Sequence, residues 1–331
     1  MSISILRSGV LDTIQDLGRY GYGNQGINIS GPMDSYAMKV ANMLVSNTIN
    51  QPVIEIHFPG PQILFEQNAL ISLTGADFTP TINGETVPLW KPLVVRGKSL
   101  LMFSHRQSGA RCYLAAHGGF CVPQWLNSTS TNLKAGAGGL EGRKLEKGDE
   151  LPLGETNLYY PVLLKEKSVS VLPWSNDRTT VYQYPHEIGF IPGHEWHLLD
   201  EEAQQRLLQN NFTIHPSSDR MGYHLRGPEI KPIENFQLIS SAVSFGTIQL
   251  LPNHQLIILM ADHQTTGGYP RIGHVISAHL PKLAQLCASD CLNLKPVNME
   301  TAEQLLLLQE KELQIIGNGC NDRMKNAICL A

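Results

Sequence analysis

The sequence has little charge, and no segment is apolar enough to cross a membrane. Only 16% of its 331 residues are Asp, Glu, Lys or Arg, against roughly 25% in an average domain. The formal net charge is -4, which argues against a nucleic-acid binder, because such proteins usually carry a basic patch. No apolar run reaches the roughly 18 residues that a membrane-spanning helix needs.

Cysteine pairs and targeting signals are also lacking. The six cysteines form no C-x-x-C pair, which removes the usual zinc and thioredoxin-like signals. The N-terminal residues do not show a cationic segment followed by an apolar one, so we expect no signal peptide and a cytoplasmic location. Hydrophobic residues make up 42% of the chain, which is enough for a sizeable core.

Several catalytic motifs fail on inspection. The segment PLVVRGKS has Pro92 where a Walker A loop needs its first glycine, and no G-x-S-x-G elbow occurs. His194 and His197 are one residue too close for the H-E-x-x-H zinc motif. The glycine-rich segment 134–143 is either a binding loop or a flexible connection. The residues around Lys39 resemble those around a biotinylated lysine, but Lys39 falls within a predicted helix.

Short β-branched and apolar runs predict a mainly β chain with a few helices. Examples are 53–58, 62–66 and 70–75, which turn residues separate. Asn83-Gly84 predicts a tight hairpin, and Arg96-Gly97 predicts another. The composition changes near residue 160, so we predict a first β domain at 1–160 and a second at 161–331.

Helix signals are fewer and local. Ser30 and Pro32 predict a helix that begins near residue 32, with an apolar face that includes Val40. Asp200 precedes a second helix, residues 279–289 predict a short one, and Thr301 opens a leucine-rich helix through a capping box.

Two polar clusters are candidate sites. The first lies at 13–19 and 30–34, where Arg19 could bind an anion, or where Asp16 and Arg19 could form a structural turn. The second combines 218–223 with 261–270, directly after an apolar strand. Donors, acceptors and glycines together are typical of a functional loop on a rigid element, although a polar turn has a similar composition.

The whole chain resembles the family of the C subunit of bacterial 5-oxoprolinase, also called allophanate hydrolase subunit 2 or biotin-dependent carboxyltransferase domain protein. The strings that carry the resemblance are TIQDLGR, SGPMD, LTGADF, SGARCYLAAHGGF, STSTNLKAGAGGLEGR, SDRMGY and ADHQTTGGYPRIG. They run in family order from residue 13 to about residue 286. The sequence departs from the family at Ser241, where relatives usually have Glu, and at His263, where they usually have Arg.

The resemblance implies two cyclophilin-like β-barrel-type domains. It also implies that the chain is one component of an ATP-dependent hydrolase that converts 5-oxo-L-proline to L-glutamate. The expected cofactor is ATP with magnesium, and the expected partners are homologues of the A and B subunits of 5-oxoprolinase. One alternative is the carboxyltransferase component of a biotin-dependent urea carboxylase, with biotin attached elsewhere. Another is a non-catalytic regulator that binds a kinase-inhibitor homologue.

Within the proposed activity we expect a cleft built from both polar clusters. Asp262 is the expected general base, because it ends an apolar strand where burial raises a carboxyl pKa. Arg220 and Arg19 suit a carboxylate or a phosphate. Internal ion pairs, Asp219–Arg220 and Asp16–Arg19, are the competing interpretation. The expected catalytic residues are Asp262, Arg220 and Asp219. The expected substrate-binding residues are Gln264, Thr265, Thr266, Tyr269, Gln15, Asp16, Arg19 and Asp34, and Gly267 and Gly268 would let the backbone approach the ligand.

Overall fold

The computed structural model describes residues 1–155, 164, 167–176, 181–182, 186–234 and 238–329. The chain divides into two compact units. Unit 1 comprises Met1–Gly18, Asp34–Arg178 and Lys311–Ala331, and unit 2 comprises Arg19–Met33 and Thr179–Glu310. The domain boundary predicted near residue 160 lies outside the described residues and stays a prediction.

Unit 1 contains two six-stranded antiparallel sheets. The first has the strand order β11-β1-β4-β9-β6-β7, and the second β12-β8-β5-β10-β3-β2. The strands are β1 Ser2–Arg7, β2 Thr13–Gln15, β3 Val53–Ile56, β4 Gln62–Phe65, β5 Ala69–Asp77, β6 Pro80–Ile82, β7 Glu85–Thr86, β8 Pro92–Val95, β9 Ser99–Phe103, β10 Ser108–Ala116, β11 Glu150–Pro152 and β12 Val169–Val171.

The core of unit 1 draws side chains from both sheets. Ile3 and Ile5 of β1 are fully buried and alternate with serines, as a strand with one buried face requires. Phe65 of β4 joins them from the same sheet, and Ile71 and Leu114 join from the second sheet. The mainly β class predicted from the short runs is therefore confirmed.

The two predicted hairpins of unit 1 have different outcomes. Asn83 and Gly84 have φ angles of 52° and 86°, and β6 pairs with β7 across them, so the first hairpin is confirmed. The second is wrong, because β8 pairs with β5 and β12 while β9 pairs with β4 and β6. Residues 96–98 carry the chain from one sheet to the other, and Lys98 adopts a positive φ of 65°.

The first helix, α1, covers Ser35–Leu44, with Asp34 as its N-cap. The Asp34 carboxylate accepts the Ala37 N–H at 2.9 Å, which satisfies one free donor of the first turn. The predicted start near Pro32 with Ser30 as cap is wrong. Ser30 has a φ of 59°, and its hydroxyl is used in unit 2 instead.

Unit 2 is a closed barrel with the strand order β13-β20-β17-β18-β15-β14-β21. Its first and last strands, β13 and β21, pair in parallel and close it. A two-stranded ribbon of β16 and β19 accompanies it. The strands are β13 Glu187–Pro192, β14 Asn211–Ile214, β15 Gly222–Arg226, β16 Ser241–Ala242, β17 Thr247–Leu250, β18 Leu256–Leu259, β19 Thr266–Gly267, β20 Arg271–Val275 and β21 Cys291–Pro296.

Three further α-helices occur where the sequence predicts them, but the N-cap of the last one differs from the prediction. Helix α2 covers Glu201–Gln209 and is capped by Asp200, and α3 covers Leu280–Ala284, both as predicted. Helix α4 covers Met299–Cys329. Its cap is Asn298, whose side chain accepts the Thr301 N–H at 2.9 Å, so the capping role predicted for Thr301 is wrong. Among the described helices, none combines the length and apolarity needed to cross a bilayer.

The turn between β1 and β2 buries a carboxyl group. Asp12 is fully buried and accepts the Gly9 N–H at 2.7 Å. Burial raises its pKa from 3.8 to about 7, and the Gly9 bond offsets only part of that effect. Between about pH 4 and pH 7, the Asp12 carboxyl is therefore protonated in the folded chain, whereas the unfolded chain has already released this proton. Stability should therefore fall as pH rises from about 4 to about 7.

We predict that Asp12→Asn removes this pH dependence. The neutral amide keeps an oxygen for Gly9 but has no proton to lose. Between pH 5 and pH 7 the wild type should lose on the order of 2 kcal/mol more unfolding free energy than the variant. Urea unfolding at the two pH values measures the difference. Equal pH dependence in the two proteins would contradict the assignment.

Candidate functional site

The loop that follows β18 presents polar groups from a fixed backbone. Asp262 and His263 are buried at its start, whereas Gln264, Thr266 and Tyr269 are exposed. The ribbon pairs Thr266–Gly267 with Ser241–Ala242 in antiparallel register, and the Val243 N–H donates to the carbonyl of Thr265 at 3.1 Å. The loop therefore offers uncharged donors and acceptors at defined positions.

Arg220 and Asp262 form a buried ion pair at the base of this loop. Arg220 Nε donates to Asp262 Oδ2 at 2.7 Å, and its Nη2 donates to Oδ1 at 3.2 Å. Their side chains are only 5% and 8% exposed. The Asp262 N–H also donates to the Arg220 carbonyl at 2.7 Å. Backbone and side chains thus fix the two segments together.

The same pair holds the segment 28–31 against the barrel of unit 2. The Ser30 hydroxyl donates to Asp262 Oδ1 at 2.6 Å, and Arg220 Nη2 donates to the carbonyl of Gly31 at 2.6 Å. Asn28 Nδ2 donates to the carbonyl of His263 at 3.2 Å. Both oxygens of Asp262 are engaged, so a role as general base would require one of these bonds to open.

The other predicted charged residues of unit 2 have local roles. Asp219 is exposed, and one carboxylate oxygen accepts the N–H groups of Met221 at 2.7 Å and Gly222 at 3.3 Å. It therefore stabilises the turn before β15, while Arg220 pairs with Asp262. Arg19 is 1% exposed, and its backbone N–H donates to the carbonyl of Ile29 at 2.9 Å. The predicted Asp219–Arg220 ion pair is replaced by the Arg220–Asp262 pair.

A group of polar side chains that the motifs did not single out lies on β17 and β20. Ile248 and Leu250 enter the barrel core, so Thr247 and Gln249 occupy the opposite face. Both are nevertheless buried. The strand register pairs Thr247 with His274, and the Gln249 Nε2 lies 3.5 Å from the Tyr269 carbonyl. The alternation in the string TIQL is the sequence signal that could have found them.

Burial favours the neutral form of two histidines of this region, His263 and His274. Burial lowers the pKa of His263, although the Gln264 carbonyl and Asp262 oppose the effect. Burial also lowers the pKa of His274, and His263 adds to that.

Gly267 explains how Gln249 fits, because a Cβ at that position would lie 2.7 Å from its Nε2. At Gly267 the space freed by glycine is therefore occupied by a side chain of the barrel.

In unit 1, Gln15 ends β2 and Asp16 follows it, beside the loop 128–131. Asp16 is 2% exposed and accepts the hydroxyls of Ser128 at 2.6 Å, Ser130 at 2.7 Å and Thr129 at 3.0 Å. It also accepts the N–H of Thr129 at 2.6 Å. Burial alone would raise the Asp16 pKa, but these hydrogen bonds outweigh it and lower the pKa below 3.8. Asp16 thus organises this loop as a buried anion.

Gln15 and Asp34 connect to further buried polar groups of unit 1. Gln15 Nε2 donates to the Thr13 hydroxyl at 3.0 Å. The Asp34 N–H donates to the Tyr113 hydroxyl at 2.8 Å, and that hydroxyl donates to Glu55 Oε2 at 2.7 Å. Burial, followed by the charge of Glu55, raises the Tyr113 pKa well above 10. Tyr113 therefore acts as a neutral bridge.

The structure shows no candidate metal centre within the residues that it describes. No group of three or more His, Cys, Asp or Glu side chains has the required proximity there. Glu195, which lies between His194 and His197, instead pairs with Arg271: Arg271 Nη2 donates to its Oε1 at 2.7 Å and Nε to its Oε2 at 3.0 Å.

The buried pair leads to a stability prediction. We predict that Arg220→Ala lowers the unfolding free energy by about 3–5 kcal/mol, because it leaves the Asp262 charge buried without its cation. Arg206→Ala is the matched control, since Arg206 pairs with Glu202 on an exposed helix face and should cost less than about 1 kcal/mol. Urea unfolding measures both.

A double variant tests the cause of that loss. Arg220→Met with Asp262→Leu removes both charges, so it should be more stable than Arg220→Ala alone. If Arg220→Ala costs no more than the Arg206 control, the pair does not hold this part of unit 2.

Comparison with known proteins places these features in context. The family model described as "Carboxyltransferase domain, subdomain A and B" matches residues 25–296. The C subunit of the 5-oxoprolinase of Haemophilus influenzae is 35% identical over 293 residues, which are 88% of this chain and 90% of the relative. That of Escherichia coli is 35% identical over 300 residues, 91% of this chain and 93% of the relative.

Solved structures give the same fold within longer chains. The crystal structure of the K. lactis urea amidolyase matches with a TM-score of 0.84 and 28% identity over 95% of this chain. The Kluyveromyces lactis urea carboxylase matches with a TM-score of 0.83 and 29% identity over 96% of this chain. The match covers only 20% of the first solved chain and 29% of the second.

Proposed function

The chain belongs to the carboxyltransferase-domain family of subdomains A and B, and on that premise we propose that it is one component of an ATP-dependent 5-oxoprolinase. One observation carries the proposal: both relatives named as the C subunit of 5-oxoprolinase align over about nine-tenths of their own length and of this chain. The urea amidolyase of Saccharomyces cerevisiae, 30% identical, aligns over only 17% of its length. The match therefore takes in nearly the whole of each 5-oxoprolinase C subunit but a small part of the amidolyase, which favours the first activity.

The proposed reaction opens 5-oxo-L-proline to L-glutamate. A lactam carbonyl is a poor electrophile. Transfer of the γ-phosphoryl group of ATP to the carbonyl oxygen gives ADP and a carbon that water can attack. Water adds to that carbon, the ring C–N bond breaks and the nitrogen takes a proton, which leaves an acyl phosphate. A second water then hydrolyses the acyl phosphate to L-glutamate and phosphate. Magnesium would accompany ATP, and homologues of the A and B subunits of 5-oxoprolinase would complete the enzyme.

In this proposal the loop after β18 binds the lactam. Gln264, Thr266 and Tyr269 are exposed, and Thr265 is half-buried beside them. An amide, hydroxyls and a phenol can donate to a lactam carbonyl and accept from its N–H. Arg220 and Asp262 would support this loop through their buried pair rather than contact the lactam. The roles expected of Gln15, Asp16, Arg19 and Asp34 stay predictions.

Reconstitution tests the activity directly. We predict that the chain, mixed with homologues of the A and B subunits, releases glutamate from 5-oxoproline only when ATP and magnesium are present. Omission of this chain should abolish release. Glutamate measured by a coupled dehydrogenase assay gives the rate. An intact complex, verified by size-exclusion chromatography, that releases no glutamate would refute the proposal.

Loop variants test the proposed binding role. Gln264→Ala and Tyr269→Phe should each raise KM for 5-oxoproline about tenfold, because each removes a hydrogen bond worth roughly 1 kcal/mol or more to the ligand. Gln205→Ala is the matched control, since Gln205 is an exposed glutamine of helix α2. Unchanged KM in both loop variants would place the lactam elsewhere while leaving the activity itself intact.

A second candidate function is favoured by the structural likeness to urea carboxylase, with a TM-score of 0.83. In that case the chain would transfer a carboxyl group from carboxybiotin on a separate carrier protein. Carrier-dependent carboxylation of urea, without glutamate release from 5-oxoproline, would favour this function over the first.

A further inference from the structure

A surface cavity of about 370 Å³ lies on unit 2, along strand β15 and away from the β18–β19 loop in sequence. Three segments form its wall: the turn after β14, the outer side chains of β15, and the turn between β17 and β18. The residues that argue for a ligand are His215, Ser217, His224, Arg226, Asn253 and Gln255. None of its lining residues is acidic, and Leu225, Gly227 and Leu251 complete the lining.

Arg226 supplies the positive charge of this cavity. It is exposed, and within the residues that the structure describes its guanidinium forms no ion pair. Glu229, a nearby carboxylate in sequence, pairs with Lys231 at 3.5 Å. The backbone of Arg226 is fixed, since it lies opposite Thr213 in the antiparallel β14–β15 pair. A guanidinium on a fixed strand, with its donors unused, is suited to an oxyanion.

His215 adds a donor whose orientation follows from its hydrogen bonds. The Ser217 N–H donates to His215 Nδ1 at 3.1 Å, so Nδ1 accepts. A neutral imidazole that accepts at one nitrogen carries its proton on the other, which makes Nε2 a donor. The His215 N–H also donates to the His224 carbonyl at 2.8 Å. The two histidines are therefore adjacent across the hairpin.

The two amide side chains also present donors. Asn253 Oδ1 accepts the Gln255 N–H at 3.2 Å, and Gln255 Oε1 accepts the Gly227 N–H at 3.3 Å. Because the oxygen of each amide accepts a backbone N–H, each NH2 group is the end left for another acceptor. Donors thus come from all three wall segments of the cavity, so an anion with several acceptor oxygens, such as phosphate, can be bound by all of them.

From this donor set we infer that unit 2 carries a second ligand site that binds phosphate, as the free ion or as the terminal group of a nucleotide. The volume exceeds what a single phosphate fills, so a phosphate that bears a small organic group also fits. This site is independent of the lactam-binding loop, and it requires neither the proposed reaction nor the partner proteins.

Calorimetric titration of the full chain at low ionic strength tests the inference. Inorganic phosphate, ADP, ATP and adenosine are the probes, because salt screening at an exposed site would hide a weak complex. Binding of phosphate, with nucleotides no tighter, identifies free phosphate as the ligand. ADP or ATP at least tenfold tighter than phosphate, with no binding of adenosine, identifies a nucleotide phosphate.

Two variants locate the site. Arg226→Gln and His215→Phe should each weaken phosphate or nucleotide binding at least tenfold. Arg206→Gln, which changes an exposed arginine of the same unit, should leave binding unchanged. Melting temperatures check that all three variants fold. The inference is overturned if no phosphate compound binds, if glutamate binds in place of phosphate, or if Arg226→Gln binds as tightly as the wild type.

Discussion

The buried pair between Arg220 and Asp262 is the interaction on which the arrangement of unit 2 depends. Three segments distant in sequence meet there: the turn before β15, the end of β18 and the residues Ser30 and Gly31. A buried carboxylate is costly unless it is paired and hydrogen-bonded. Asp262 meets this condition only when all three segments are in place, so the pair specifies the arrangement as well as stabilising it.

The same principle holds for Asp16 and Tyr113 of unit 1, whose buried polar groups have hydrogen-bond partners. Asp16 is surrounded by the hydroxyls and amides of residues 128–130, and Tyr113 joins Asp34 to Glu55. Such networks impose one geometry, because an unsatisfied buried acceptor costs about 1–3 kcal/mol. Residues that look catalytic in the sequence thus include several whose contacts are internal to the fold.

The sequence predicted the family, the fold class and many of the strands. The family strings occur in the sequence as whole motifs, and a tight turn such as Asn83-Gly84 can be predicted from its two residues alone. Arg96-Gly97 has a similar appearance, yet it separates strands of different sheets, since pairing partners are chosen by tertiary contacts. The cap predicted for α1 failed for a related reason: Ser30 is a good cap by type, but its hydroxyl binds Asp262.

The candidate site was predicted in part, as a segment rather than as a set of contacts. The string ADHQTTGGY marks the loop, but nothing in it reveals that Asp262 is bound by Arg220. Thr247, Gln249 and His274 were missed because polar residues on the outer face of a strand are usually solvated. Here they are buried or half-buried, so their hydrogen bonds are shielded from water, which the sequence alone does not show.

The distribution of charge in unit 2 bears on what the loop can recognise. Arg220 and Asp262 neutralise each other inside the fold, as do Arg271 and Glu195, and burial lowers the pKa of His263 and of His274. The exposed groups of the loop are an amide, a hydroxyl and a phenol. A surface of this kind discriminates by hydrogen bonds rather than by charge, and a polar site rejects ligands that leave its donors unpaired. Under the proposed function, the lactam ring of 5-oxoproline, with one donor and one acceptor side by side, would match that requirement, whereas its carboxylate would need a cation outside this loop.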